Sequence, residues 1–390
     1  FYGWWDYRFL LLIFLSTIVD YFIGLKIPVQ SSKKNQKILL WCSVLFNLGV
    51  LGFFKYYNFF IESWITLFSS MGYNINSVWT LNIILPVGIS FYTFQTMSYT
   101  IDIFRKQLEP TKDFISFASF VSFFPQLVAG PIERATNLIP QILKKREFKY
   151  EQGFKGLGLI VWGLFKKVLV ADSLAPIVND VFINYESYGG EVLLLGAIYF
   201  SFQIYCDFSG YSDIAIGLSS LLGISLMTNF DFPYFSRNIG EFWRKWHISL
   251  SSWFKDYLYI PLGGSKGNKY SSLRNIFIVF LVSGFWHGAN WTFIVWGLYH
   301  SLLFIPSFFL KTNRKYNNSI IAKNSIFPSF KEIIQIIFTF ILVTFGWIFF
   351  RSETLEDSFK FINNMFSFDT INIYNASNNQ VKIKYYLIYI

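Results

Sequence analysis

Apolar stretches of roughly 17–25 residues, long enough to carry a helix across about 30 Å of hydrocarbon, recur along the whole chain. They run as continuous blocks rather than alternating, so helices and not a closed barrel satisfy the backbone in lipid. The clear spanning candidates are residues 7–25, 38–60, 81–101, 154–171, 192–206, 275–288, 291–310 and 332–350. Two shorter apolar pieces, 114–130 and 214–227, are ambiguous. The pattern predicts an all-α polytopic membrane protein forming one domain over residues 1–390. The chain starts at Phe1 without an initiator Met and stops at Tyr385–Ile390, a few residues into another apolar run. Further helices are therefore expected at both ends.

Lys and Arg in short loops mark the cytoplasmic side. Lys26, Lys33, Lys34 and Lys37 put the first loop inside, and 62–80, with no Lys or Arg, lies outside. Arg105, Lys106 and Lys112 return to the inside, but the next loop is also basic, with Arg134, Lys144, Lys145, Arg146 and Lys149. Two successive basic loops predict that 114–130 does not cross. A re-entrant or surface-lying segment fits its Pro125, Gly130 and the following Pro131, because irregular backbone at depth must be buried in protein or beside water. Asp172, Asp180, Glu186 and Glu191 place 172–191 outside, whereas 231–274 and 311–331 are basic and inside. This alternation requires 192–227 to cross once, with a break at Cys206–Asp213 joining a crossing to a partial helix. So many non-crossing pieces predict a cavity within the membrane.

Composition changes this picture little. The chain is 53% hydrophobic and 22% aromatic with only 14% charged residues, which excludes a soluble multidomain reading. Its net charge of +10 sits in the inside loops and calls for no nucleic acid. Cys42 and Cys206 lie in apolar segments without metal-ligand neighbours, so neither a disulfide framework nor a metal site is expected.

The chemistry rests on three histidines. His287 follows Asn275 by twelve residues, roughly 18 Å of helix. That depth is near or past the midplane, where an ionisable side chain defaults to a functional hypothesis. Gly284 and Gly288 flank it and would permit close helix approach, which packing alone could also require. His247 lies in 240–264, read as one amphipathic helix whose stripe contains Trp243, Trp246, Leu250, Trp253 and Tyr257. It borders that stripe, at a tunnel mouth or as an ordinary interfacial residue. His300 sits mid-helix and is expected to make a structural hydrogen bond to a neighbouring helix. The Gly263–Gly267 turn could offer N–H groups to phosphate, but a plain surface turn is the better reading. Asp256 reads as a surface ion partner. No Gly-x-Ser-x-Gly elbow, His-Glu-x-x-His pair or Cys-x-x-Cys motif occurs.

The stretches Phe242–Gly264 and Ser283–Trp291 resemble the membrane-bound O-acyltransferases, and within them the bacterial alginate O-acetyltransferase branch. Leu85–Tyr92, Phe124–Ile132 and Tyr205–Asp213 add to the resemblance, in family order. The ending Pro261–Gly264 argues against the related D-alanyl transfer proteins. The resemblance implies a helical funnel with re-entrant and interfacial helices, His287 as catalytic histidine and His247 as its active-site companion. It further implies acetyl-CoA as cytosolic acyl donor, no bound cofactor, and an extracytoplasmic polysaccharide acceptor. The setting would be a bacterial inner membrane, with an extracytoplasmic acetyltransferase as partner. His287 would then act as general base on the acceptor hydroxyl, while His247 orients the donor or stabilises developing charge. The alternatives are a relay that hands acetyl to that partner and, from another class, a transporter. No internal symmetry of the transporter kind is apparent.

Overall fold

A computed structural model describes residues 6–73, 79–317, 320–323 and 325–367, and Phe1–Trp5 and Tyr385–Ile390 lie outside them. The first apolar block folds as α1 (Arg8–Lys26). The second is longer than its hydrophobic pattern predicts. α2 (Lys33–Leu51), a π-turn (Gly52–Tyr56) and α3 (Tyr57–Ser70) form one helical run of 38 residues. Residues 62–70, expected as loop, are therefore helix, and the run ends only before Gly72 with its left-handed φ of 88°.

The block 81–101 is corrected in the opposite direction. Helix α4 (Ile89–Phe104) begins late, because Pro86 restrains the chain before it and Gly88 turns it with φ 76°. Twelve of the sixteen residues of α4 are buried, polar ones included, which makes it a central helix rather than a lipid-facing one. Asp20 of α1 accepts from Ser43 Oγ at 2.5 Å and from Asn47 Nδ2 at 2.7 Å. Thr96 and Thr100 of α4 bond to Asn47 and Ser43 at 3.1 and 2.9 Å, so polar side chains tie three helices together.

Helix α5 (Phe114–Val121) is about 12 Å long, too short to cross, and irregular backbone follows it before α6 (Ala135–Leu143). This agrees with a non-crossing segment at 114–130. Next, α7 (Tyr150–Leu164), a π-turn (Phe165–Ala171) and α8 (Asp172–Ile183) run on without a break. The expected outside loop thus begins after Ile183 instead of at Asp172. Leu174, Val178 and Val181 of α8 are buried, so tertiary packing carries the helix through Pro176.

Helix α9 (Gly190–Leu221) removes the break expected at Cys206–Asp213. Its polar and glycine residues form a seam with α7 instead. A Cβ on Gly163 would come within 2.5 Å of the Gly210 carbonyl, and one on Gly217 within 2.5 Å of the Gly156 carbonyl. Small residues let the two backbones touch. Lys166 Nζ meets Asp213 at 2.7 Å and Lys167 Nζ meets Asp207 at 2.6 Å across the seam.

The predicted amphipathic helix over 240–264 is also corrected. It is two short helices, α10 (Ile239–Lys245) and α11 (Ile248–Phe254), followed by a π-turn (Lys255–Tyr259). Then come α12 (Lys269–His287), α13 (Trp291–Phe309), α14 (Phe330–Arg351) and α15 (Leu355–Phe366). No strand occurs among the described residues. Among the described residues, five helical runs are long and apolar enough to cross a membrane: α1, the run from α2 to α3, α9, α13 and α14.

Two large apolar cores flank a third, smaller one among the described residues. One gathers α1, α4, α5 and α6 around Tyr99, Phe117 and Leu138; the other gathers α8, α9, α10, α13, α14 and α15 around Trp296, Trp347 and Phe361. Between them Phe94 of α4 stacks on Trp253 of α11, with ring centres 3.8 Å apart, and on Trp286 of α12 at 5.5 Å. That aromatic stack leads directly to the two site histidines.

Candidate active site

The break between α10 and α11 exists at His247 itself. Its backbone is left-handed (φ 45°, ψ 56°), uncommon for a residue with a Cβ. Asn229 explains how it is held there. The Asn229 carbonyl accepts from Ile248 N at 2.9 Å, and its side-chain oxygen accepts from Ser249 Oγ at 2.9 Å. The same oxygen lies 3.1 Å from His247 Nδ1. With an acceptor facing it, Nδ1 carries the proton in this assignment and Nε2 keeps a lone pair. Nε2 has no partner among the described residues, although His247 is only 1% exposed. The reading of His247 as an interfacial residue is therefore overturned. Phe208 packs edge-on against its ring at 4.6 Å.

His287 is the last residue of α12, and its ring lies among Trp286, Trp296 and Phe350 at 5.0, 5.2 and 5.3 Å. The His247 and His287 ring centres are 6.5 Å apart. Gly284 lies where α12 meets the backbone of α13 at Phe293, so the packing role weighed for it is real.

Both histidines line a cavity of about 860 Å³. Near them its wall is apolar, with Trp243, Trp246, Leu250 and Phe280. Its remaining wall carries Arg244, Lys255, Lys269, Lys311 and Arg314, and no carboxylate among the described residues. Three separate segments supply these cations, so no local motif announces them; in the sequence they are only part of the basic inside loops. Ser265 and Gly267 also line the cavity, so the Gly263–Gly267 turn is more than a plain surface turn. Asn275 Nδ2 pins it by donating to the Leu262 and Gly264 carbonyls at 3.1 and 3.2 Å.

A buried ion cluster fixes the wall. Arg237 Nη2 meets Glu241 at 3.0 Å and its Nη1 meets Glu332 of α14 at 3.0 Å, while Lys245 meets Glu241 at 3.3 Å. The Arg237 guanidinium also lies 3.9 Å from the Tyr316 ring centre. Burial pushes the Glu241 carboxyl up, but hydrogen bonds from Arg237 outweigh it and hold it below the usual glutamate range.

His300 does not join the site. It is fully buried, edge-on to Trp243 at 4.9 Å and Trp296 at 5.0 Å. The expected hydrogen bond to a neighbouring helix is absent among the described residues, where neither ring nitrogen has a partner. Instead Gly346 of α14 makes room for the ring: a Cβ there would lie 2.7 Å from Nε2. Asp256, with 42% of its side chain exposed, pairs with Arg134 at 3.4 Å, as its reading as an ion partner predicts.

The family model for "MBOAT, membrane-bound O-acyltransferase family" matches residues 8–350. The chain belongs to the membrane-bound O-acyltransferase family. It is 40% identical over 370 residues to the "Probable alginate O-acetylase AlgI" of Azotobacter vinelandii, covering 94% of this chain and 71% of that protein. It is 35% identical to the "Peptidoglycan O-acetyltransferase" of Helicobacter pylori, over 97% of this chain and 74% of the relative. The "Teichoic acid D-alanyltransferase" of Bacillus subtilis is 30% identical over 70% of each chain. This membrane-bound O-acyltransferase is thus an enzyme that transfers an acyl group, with both histidines inside the matched region.

Proposed function

We propose that this O-acyltransferase moves an acetyl group from cytosolic acetyl-CoA to a hydroxyl of an extracytoplasmic polysaccharide, working as one unit in a bacterial inner membrane. The observation that carries the reading is the pair of imidazoles, 6.5 Å apart, on a cavity whose described wall holds five cations and no carboxylate. Acetyl-CoA is an anionic thioester, and cations without competing carboxylates favour its phosphates. Alginate and peptidoglycan, the substrates named for two relatives, both offer sugar hydroxyls.

His287 takes the proton of the acceptor hydroxyl as that oxygen attacks the thioester carbonyl carbon. The tetrahedral intermediate collapses, the C–S bond breaks, and the imidazolium returns its proton to the CoA thiolate. An ester and a free thiol result. General-base help of this kind is worth about 10²–10⁴-fold. His247, with Nδ1 engaged by Asn229, offers a lone pair at Nε2. A lone pair repels a developing oxyanion but accepts from a pantetheine amide N–H, so orienting the donor is the role that fits.

The test is His287→Ala in the full-length protein, with alkali-labile O-acetate in the envelope polysaccharide and thiol release from acetyl-CoA as readouts. Both are expected to vanish while the protein still accumulates in the membrane. Persisting O-acetate would overturn the role of His287. Acetyl found covalently on a partner protein before it reaches glycan would replace direct transfer by the relay.

A further inference from the structure

The end of α12 is held by another helix. Gly288 leaves the helix in an extended conformation, so the Phe285 and Trp286 carbonyls lie beyond the last helical N–H donors. The π-turn Gly52–Tyr56 supplies a donor for each. Tyr56 Oη donates to the Phe285 carbonyl at 2.8 Å, and Lys55 Nζ donates to the Trp286 carbonyl. The Tyr56 ring also stacks on Phe285, with centres 4.1 Å apart. Lys55 further donates to Ser90 Oγ at 3.2 Å and lies 5.5 Å from the Trp286 ring centre. No carboxylate pairs with this ammonium group among the described residues, so the carbonyl end of α12 is its principal counter-charge. In a π-turn the i→i+5 bond widens the helix, and such turns cluster at functional sites. Here it lets two consecutive side chains reach the same helix end.

We infer that Lys55 and Tyr56 are positioning residues for His287. By holding the two carbonyls before it, they set where α12 stops and the angle at which the ring meets the cavity. This rests on His287 being the base. A misplacement of about 1 Å in a catalytic group costs on the order of 10²-fold in rate, so a shared cap on the preceding residues is a sensitive control. Neither Lys55 nor Tyr56 lines the cavity, so donor binding should not need them.

The test measures thiol release from acetyl-CoA in inverted membrane vesicles carrying the full-length protein, per folded molecule. Lys55→Met is expected to lower kcat by about tenfold or more with donor KM within about twofold, the signature of an interaction made only on the way to the transition state. Lys55→Arg, which keeps a cationic donor, is expected to recover part of the loss. Tyr56→Phe keeps the stacking and loses one hydrogen bond of about 1 kcal/mol, so a kcat about fivefold lower is expected. If Lys55→Met fails to accumulate, Tyr56→Phe decides the matter alone. Unchanged kcat in the variants that fold overturns the inference, as does a raised donor KM at unchanged kcat. His287→Ala is run in parallel: retained thiol release there breaks the general-base reading, whereas its loss beside fully active Lys55 and Tyr56 variants breaks only the positioning one.

Discussion

His247 and His287 sit at opposite ends of helices, and the two ends hold them differently. His247 stands before the first residue of α11, with left-handed backbone, and its ring is tied through Nδ1 to Asn229. His287 closes α12, and its ring is surrounded by Trp286, Trp296 and Phe350 while its preceding carbonyls are capped from elsewhere. A ring with a fixed hydrogen bond has a fixed tautomer and a fixed direction. A ring held by aromatic edges keeps its nitrogens for the reaction. In the proposed mechanism this difference becomes a division of labour in which one imidazole positions and the other exchanges a proton.

The largest effect should come from His287→Gln, which keeps size and polarity but cannot serve as base. A loss of about 10²–10⁴-fold in kcat is expected, measured as thiol release from acetyl-CoA with membrane content unchanged; a loss below tenfold would erase the contrast with His247. Next is Arg237→Ala, which leaves Glu241 buried without its main partner. Breaking such a buried pair costs about 3–5 kcal/mol, to be read from thermal unfolding in detergent. Because the folded Glu241 carboxyl is held low, the stability from this cluster is present above the ordinary glutamate pKa and declines as pH falls through the lower folded value.

Asn229→Leu removes the oxygen that orients His247. A misaligned donor costs catalysis more than folding, and kcat is expected to fall by on the order of 10-fold, up to about 100-fold for a misplacement of about 1 Å. Adding Asn229→Leu to His247→Gln should make little further difference, because Asn229 acts through the imidazole that is already gone. Additive losses would show that Asn229 acts elsewhere. Smaller still, Lys269→Gln or Arg314→Gln should raise the KM for acetyl-CoA by about two- to fivefold, the scale of one partly exposed charge. The gap should narrow at high salt, and a KM that ignores both changes would remove the cavity from the donor's path. The smallest effect is assigned to His300→Phe, with kcat within about twofold of wild type, since no hydrogen bond to a described residue is lost there. A large loss would restore His300 to the site.

Much of the architecture was legible because a membrane restricts the chain to helices of spanning length. α1, α13 and α14 follow their apolar blocks within a few residues. Two of the misreadings have tertiary causes that no single segment shows. The Cys206–Asp213 stretch looked like a break because Asp207, Ser209, Gly210 and Asp213 suit a loop. In the folded chain the glycine faces a helix backbone and the carboxylates face lysines. At 240–264 the aromatic stripe concealed a break, because no Gly or Pro marks the left-handed turn at His247. Asn229 and the Lys55–Tyr56 cap carried no local signal, since their meaning lies in partners 18 and about 230 residues away in the chain.

By itself, then, the sequence determined a helical membrane enzyme and singled out His247 and His287, because hydropathy, loop charge and short motifs are local properties. Only the tertiary structure decided that the two rings meet, that five scattered cations share one cavity wall, and that His247 is buried with its Nδ1 engaged. Those facts depend on helices distant in sequence packing through glycine seams and carbonyl caps, and distances across such contacts are written in no single segment.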